Sequence, residues 1–153
     1  HKIGDQTLIS DSYFMTLIDT KSLPEVLVKV GLPLPVGDEP NCVYRKISRN
    51  WCTGPDLKHL WTQAYKTESV LCDTNLTFQY VADRDSKPAN TKIYAHKLNY
   101  CGLQDYYTAM FPQGAELWYI LDHTLVAAIL GNQTIGLISP VRVENQYLKP
   151  IAD

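Results

Sequence analysis

The run Glu116-Leu-Trp-Tyr-Ile-Leu-Asp-His-Thr-Leu-Val-Ala-Ala-Ile-Leu-Gly-Asn-Gln-Thr-Ile-Gly-Leu-Ile-Ser139 decides the fold class. It holds three strand-sized segments, Glu116–Leu121, Leu125–Leu130 and Thr134–Ser139, cut by Asp122-His123 and Gly131-Asn132. Short apolar runs between turn residues read as neighbouring strands. The pattern extends outward. Ser12–Asp19, Cys42–Ser48, His59–Thr67, Leu76–Ala82, Thr91–Leu98 and Asp105–Phe111 are further β-branched or aromatic runs. Gly54-Pro55, the polar run Asp83–Pro88 and Pro112-Gln-Gly114 separate several of them. Strands this short, recurring through the chain, predict an all-β antiparallel fold, a barrel or alternatively a β-sandwich.

One short helix precedes most of the strands. Ser22-Leu-Pro-Glu25 reads as a capping box, with Pro24 in the first turn. Leu23, Val26, Leu27 and Val30 follow helical spacing, and Gly31 with Pro33 ends the helix. About two turns are too short to stand alone, so the helix must lie against something larger. The stretch Gly31–Gly37, continuing to Pro40, is an ordered loop rather than a domain linker.

At 153 residues and 17.3 kDa the chain is the length of one domain. Fourteen Lys and Arg against 16 Asp and Glu leave a formal charge of −2, so no nucleic-acid footprint follows. No apolar run approaches the ~18 residues of a spanning helix, and no membrane partner is expected. Cys42, Cys52, Cys72 and Cys101 form an even set without a CxxC. Together with the sequons Asn75-Leu-Thr77 and Asn132-Gln-Thr134 they point to a secreted, disulfide-bonded glycoprotein. Four cysteines allow three pairings; Cys52–Cys72 with Cys42–Cys101 is preferred. The start at His1 without methionine reads as a mature chain or a trimmed one.

Alternation along the strands places Leu76, Phe78 and Tyr80 on one face and Thr77, Gln79 and Val81 on the other. In the next strand Ile93, Ala95 and Lys97 oppose Tyr94, His96 and Leu98. Neither strand divides cleanly into an apolar and a charged side. Ten tyrosines and three tryptophans recur along the chain. Rings with an apolar body and a polar tip suit a wet or ligand-filled interior, although tyrosine also favours outer sheet faces. No GxSxG, HExxH, P-loop or GxGxxG motif occurs. His1, His59, His96 and His123 lack metal-ligand spacing. No cofactor, no metal and no enzymatic activity are expected.

Two segments carry a family resemblance. Cys101-Gly-Leu103, a 12-residue spacer and Glu116-Leu-Trp118 resemble the signature of tick salivary lipocalins, the histamine-binding-protein-like family. Tyr13–Ile18 followed by Asn41-Cys-Val43 resembles that family's first two barrel strands. Gly102 stands where amine-binding members carry Asp, and no cysteine follows Trp118. The resemblance implies a lipocalin-like barrel over residues 1–153, with a short N-terminal helix and a cavity, secreted in saliva. It implies sequestration of a host mediator, lipid or biogenic amine, and so modulation of inflammation or immunity. Glu116 would then point inward to meet an amine. The wall residues would be Phe14, Tyr44, Trp61, Phe78, Tyr80, Tyr94, Tyr106 and Trp118. With Gly102 in place of Asp, half of the amine's charge partner is missing, which favours a lipid. The alternative is a secreted module that binds a host protein through surface loops, with Trp51 beside Arg49 and the Leu32-Pro-Leu-Pro35 loop as contacts.

Overall fold

The computed structural model describes residues 1–37, 40–67, 69–81, 84–146 and 148. The expected strand end at Ala82, the separator residue Asp83, and residues 38 and 39 of the proline-rich stretch lie outside them. The chain groups into two compact units, residues 1–11 with 15–63 and residues 12–14 with 64–153.

The first unit begins with β1 (Lys2–Ile3), β2 (Gln6–Ser10) and β3 (Phe14–Asp19). β1 pairs with β2 and β2 with β3, both antiparallel. A 3-10 turn, Thr20–Ser22, leads into α1 (Leu23–Lys29). Helix and terminator agree with the sequence reading, but the capping box does not form. Ser22 continues the 3-10 turn at φ −85°, ψ −9° and its side chain caps nothing. An N-cap needs an extended backbone to turn its oxygen toward the first turn. The other end is a Schellman motif. Gly31 sits at φ +74°, Leu32 N–H donates to Leu27 C=O at 2.8 Å, and Gly31 N–H to Val28 C=O at 3.1 Å. Leu23 and Leu27 are buried, whereas Val30 is exposed. Next comes the hairpin of β4 (Cys42–Arg45) and β5 (Asn50–Thr53). The run from His59 to Thr67, expected as a strand, instead contributes to α2 (Leu57–Thr62). Asp56 is its N-cap and accepts from Lys58 N–H at 3.0 Å. This local bond outweighs the β-propensity of the aromatic residues that follow.

The second unit holds β6 (Cys72–Tyr80), β7 (Ala89–His96), β8 (Asn99–Gln104), α3 (Asp105–Thr108), β9 (Glu116–Ile120), β10 (Leu125–Leu130) and β11 (Gln133–Ile138). The expected strand Asp105–Phe111 is therefore corrected to the short helix α3 at its start. β6-β7-β8 and β9-β10-β11 are antiparallel sets of consecutive strands. The all-β, antiparallel expectation holds.

Two short bridges join these sets, one from the segment leading into β6 and one from the segment past β11. Leading into β6, Leu71 N–H donates to Leu117 C=O at 2.8 Å and Tyr119 N–H to Ser69 C=O at 2.9 Å. Past β11, Gly102 and Val141 exchange two hydrogen bonds of 2.9 Å. These are single bridges rather than ladders, so the strands do not close into a continuous barrel.

Side chains from both sets meet between them. Leu71, Tyr94, Cys101, Leu103, Tyr107, Tyr119, Val126 and Ile138 form one buried cluster, with Phe14, Phe111 and Leu117 against it. The opposite face of β6-β7-β8 carries Phe78 and Ile93, covered by Val141, Val143 and Leu148. β7 is the middle strand of a sheet packed on both faces, which explains its mixed alternation. Gly102 lies on this second face. A Cβ there would stand 2.8 Å from Thr91 Cγ2, 2.8 Å from Val141 Cγ2 and 3.0 Å from Phe78 Cε1. Glycine at 102 is thus a packing requirement of the Val141 bridge.

Candidate functional site

Three phenols approach one another in the interior of the second unit. Tyr94 comes from β7, Tyr107 from α3 and Tyr119 from β9, and all three are buried. Phe14 stacks on Tyr107 with centroids 5.2 Å apart and planes within 8°. Phe111 lies 5.9 Å from Phe14, and Gly136 leaves room for the Phe111 ring: a Cβ there would meet it at 2.8 Å. Burial, and then the carboxylates of Asp73 and Asp105, push the Tyr94 phenol up to about 12. Burial also raises Tyr119, as does its hydrogen bond with Cys101. The Cys101 thiol is pushed up to about 11 by burial. At neutral pH Tyr94, Tyr119 and Cys101 are therefore uncharged.

Asp105 brings a carboxylate to this group. It opens α3, directly after β8. Its Oδ2 accepts from Asn90 Nδ2 on β7, whereas Oδ1 is buried with no hydrogen-bond partner among the described residues. A desolvated carboxylate oxygen left unpaired is costly, and most such atoms are satisfied by a donor. Carboxylate and rings together form a set of groups that can hold a cation.

The residues expected to bind ligand do not converge. Glu116 and Trp118 lie on β9 on the face opposite Tyr119, because strand neighbours alternate. Glu116 instead pairs with Lys66 at 3.0 Å, and Lys66 Nζ stands 5.8 Å from the Trp118 ring centre. Glu116 is exposed and its carboxylate is taken by Lys66, whereas the Trp118 Nε1 is buried. Phe14 and Tyr94 belong to the interior; Phe78 and Tyr80 belong to the other face of β6 and β7. Tyr106 is exposed on α3, 4.1 Å from Tyr107. Tyr44 and Trp61 belong to the first unit.

Trp51 is a strut. Its Nε1 donates to Pro33 C=O at 2.8 Å and its ring meets Tyr44 edge-on at 5.4 Å. The two segments named as protein contacts are thus bonded to each other, and the tryptophan's donor is used internally.

No disulfide joins the four cysteines. Within each unit the geometry explains why. Cys42 faces Thr53 and Cys52 faces Val43, so the two thiols leave opposite sides of their hairpin. Cys72 aligns with Ala95 and Cys101 with Tyr94, again on opposite faces. Asn75 and Asn132 are both exposed, the first at φ +62° and the second in the β10–β11 turn.

Comparison with protein-family models, with curated proteins and with solved structures finds no match.

Asp105, Tyr107 and Tyr119 went unnoticed in the sequence. Asp105 and Tyr107 were hidden by reading 105–111 as a strand. Tyr119 is legible by parity, since it alternates with Glu116 and Trp118, but parity does not say which face meets β6-β7-β8.

Proposed function

We propose that this chain is a secreted ligand-sequestering protein of the lipocalin kind, whose second unit takes a small amine between its two strand sets. The observation that carries the reading is Asp105 Oδ1, buried and without a hydrogen-bond partner among the described residues, on a carboxylate close enough to Tyr94 to help raise its phenol. An ammonium group would satisfy that oxygen, and the rings of Tyr94 and Tyr107 would add roughly 0.5–2 kcal/mol of cation–π attraction. The two bridges between the strand sets support a body that wraps around the site without closing. The signature Cys101-Gly-Leu103 with Glu116-Leu-Trp118 supports the family. Sequestration of a mediator released in inflamed tissue, such as histamine or serotonin, is the role consistent with this chemistry.

Calorimetry with histamine, serotonin and oleate tests the reading, using the wild type and Asp105→Asn. We expect one-to-one amine binding that weakens at least tenfold in the variant. Oleate binding without amine binding, or amine affinity unchanged by Asp105→Asn, overturns the assignment of the amine and of Asp105.

A further inference from the structure

The β4–β5 hairpin of the first unit ends in an unusual tip. Ile47 is fully exposed, at 102% of the reference value. Arg45, Lys46 and Arg49 surround it in sequence, and no Asp or Glu occurs from Asn41 to Pro55. In a chain with a net charge of −2, three of the 14 basic residues fall within five positions. All three are exposed, and none makes an ion pair among the described residues. The tip is tightly formed. Arg49 N–H donates to Arg45 C=O at 2.8 Å, and Arg49 takes φ +56°, a left-handed conformation that a non-glycine residue adopts at some cost. The stem below it is braced by the Tyr44–Trp51 contact and by the bond from Trp51 to Pro33.

We propose that this tip docks on an anionic lipid surface, with Ile47 entering the boundary between headgroups and acyl chains. The three cations would engage lipid phosphates and carboxylates. Charge complementarity selects a polyanionic partner. The apolar apex selects lipid among polyanions, because a sulfated glycan offers no apolar layer for Ile47. Peripheral binding of this kind combines a buried apolar group with basic residues. It requires no spanning segment. The proposal stands apart from the amine site, which lies in the other unit.

Co-sedimentation of the full chain with phosphatidylcholine vesicles, with and without 30 mol% phosphatidylserine, tests it. We expect binding only to the phosphatidylserine vesicles. Each basic residue near an anionic surface is worth about fivefold in binding. Neutralising Arg45, Lys46 and Arg49 together to Gln should therefore weaken binding about 100-fold. Ile47→Ser should weaken it about tenfold or more. All four side chains are exposed, and thermal unfolding of each variant verifies that the fold is kept. Failure to bind phosphatidylserine vesicles overturns the proposal. So does equal binding by the triple variant, or heparin binding with vesicle binding indifferent to Ile47→Ser, which would assign the tip to a sulfated glycan.

Discussion

Replacing Gly102 by Ala probes the bridge between β8 and the segment past β11. The new Cβ would stand 2.8 Å from Thr91 Cγ2 and 2.8 Å from Val141 Cγ2. Both are methyl groups on short, branched side chains with little freedom to withdraw. Overpacking of a close-packed site costs about 1–3 kcal/mol, and two contacts this short place Gly102 in the upper part of that range. Removing a glycine from a strand returns roughly 0.5–1 kcal/mol. The net loss is then about 1–2.5 kcal/mol, which for a chain of this length lowers Tm by about 2–10 °C. Urea unfolding and scanning calorimetry measure both quantities. The decisive comparison is with Val141→Ala and the double variant. If the Val141 methyl is the obstacle, the double variant should recover about 1 kcal/mol relative to the sum of the single losses. A Gly102→Ala chain as stable as the wild type, or strict additivity with Val141→Ala, would refute the close approach. Gly102→Asp should be worse than Gly102→Ala, because it adds an unpaired charge to the same crowded face, and it should not improve amine binding.

Three further outcomes follow from the geometry. Tyr94 titrates near 10 when unfolded and near 12 when folded, so its contribution is complete below pH 10 and is lost as pH rises toward 12; at about 1.4 kcal/mol per pKa unit the loss approaches about 3 kcal/mol. Urea titrations at pH 9 and 11.5 should show a decline to which Tyr119 and Cys101, raised in the same direction, also contribute, and Tyr94→Phe should make it shallower without abolishing it. Cys72 is exposed and Cys101 is buried with a raised thiol pKa, so an aromatic disulfide reagent at pH 8 should modify Cys72 quickly and Cys101 only after unfolding, read by peptide mass. Glu116→Gln breaks an exposed pair with Lys66 and should change stability by less than about 1 kcal/mol while leaving amine affinity intact; a large loss of affinity would return Glu116 to the site.

Local signals in the sequence were reliable where one interaction determined the outcome. Leu125–Leu130 is a strand at the expected bounds, because a continuous apolar run between turn residues is buried on both faces. Gly31 ends α1 as expected because only a left-handed residue completes that motif cheaply. The misreadings came from competition. Tyr106 and Tyr107 suggest a strand by propensity, yet Asp105 starts a helix there. β8 is hard to read in the sequence because Gly102 interrupts its apolar pattern, and that glycine is required by Val141, 39 positions away. Sidedness was also ambiguous: β9 offers Glu116 and Trp118 on one face and Leu117 and Tyr119 on the other. The burial of Tyr119 with Val126 and its contact with Cys101 on β8 identify the face that meets the other strand set. The orphaned Asp105 oxygen depends on tertiary packing and leaves no trace in composition or spacing.

The pairing of Ser69–Leu71 with β9 has a practical bearing on fragment design. Without that segment, β9 would present Leu117 and Tyr119 along an uncovered row of backbone donors and acceptors. Such an edge recruits other chains into extended assemblies. A fragment cut at the first residue of β6 would therefore be prone to self-association. One begun a few residues before Thr67, whose hydroxyl donates to Tyr119 C=O at 2.9 Å, would carry its own guard strand.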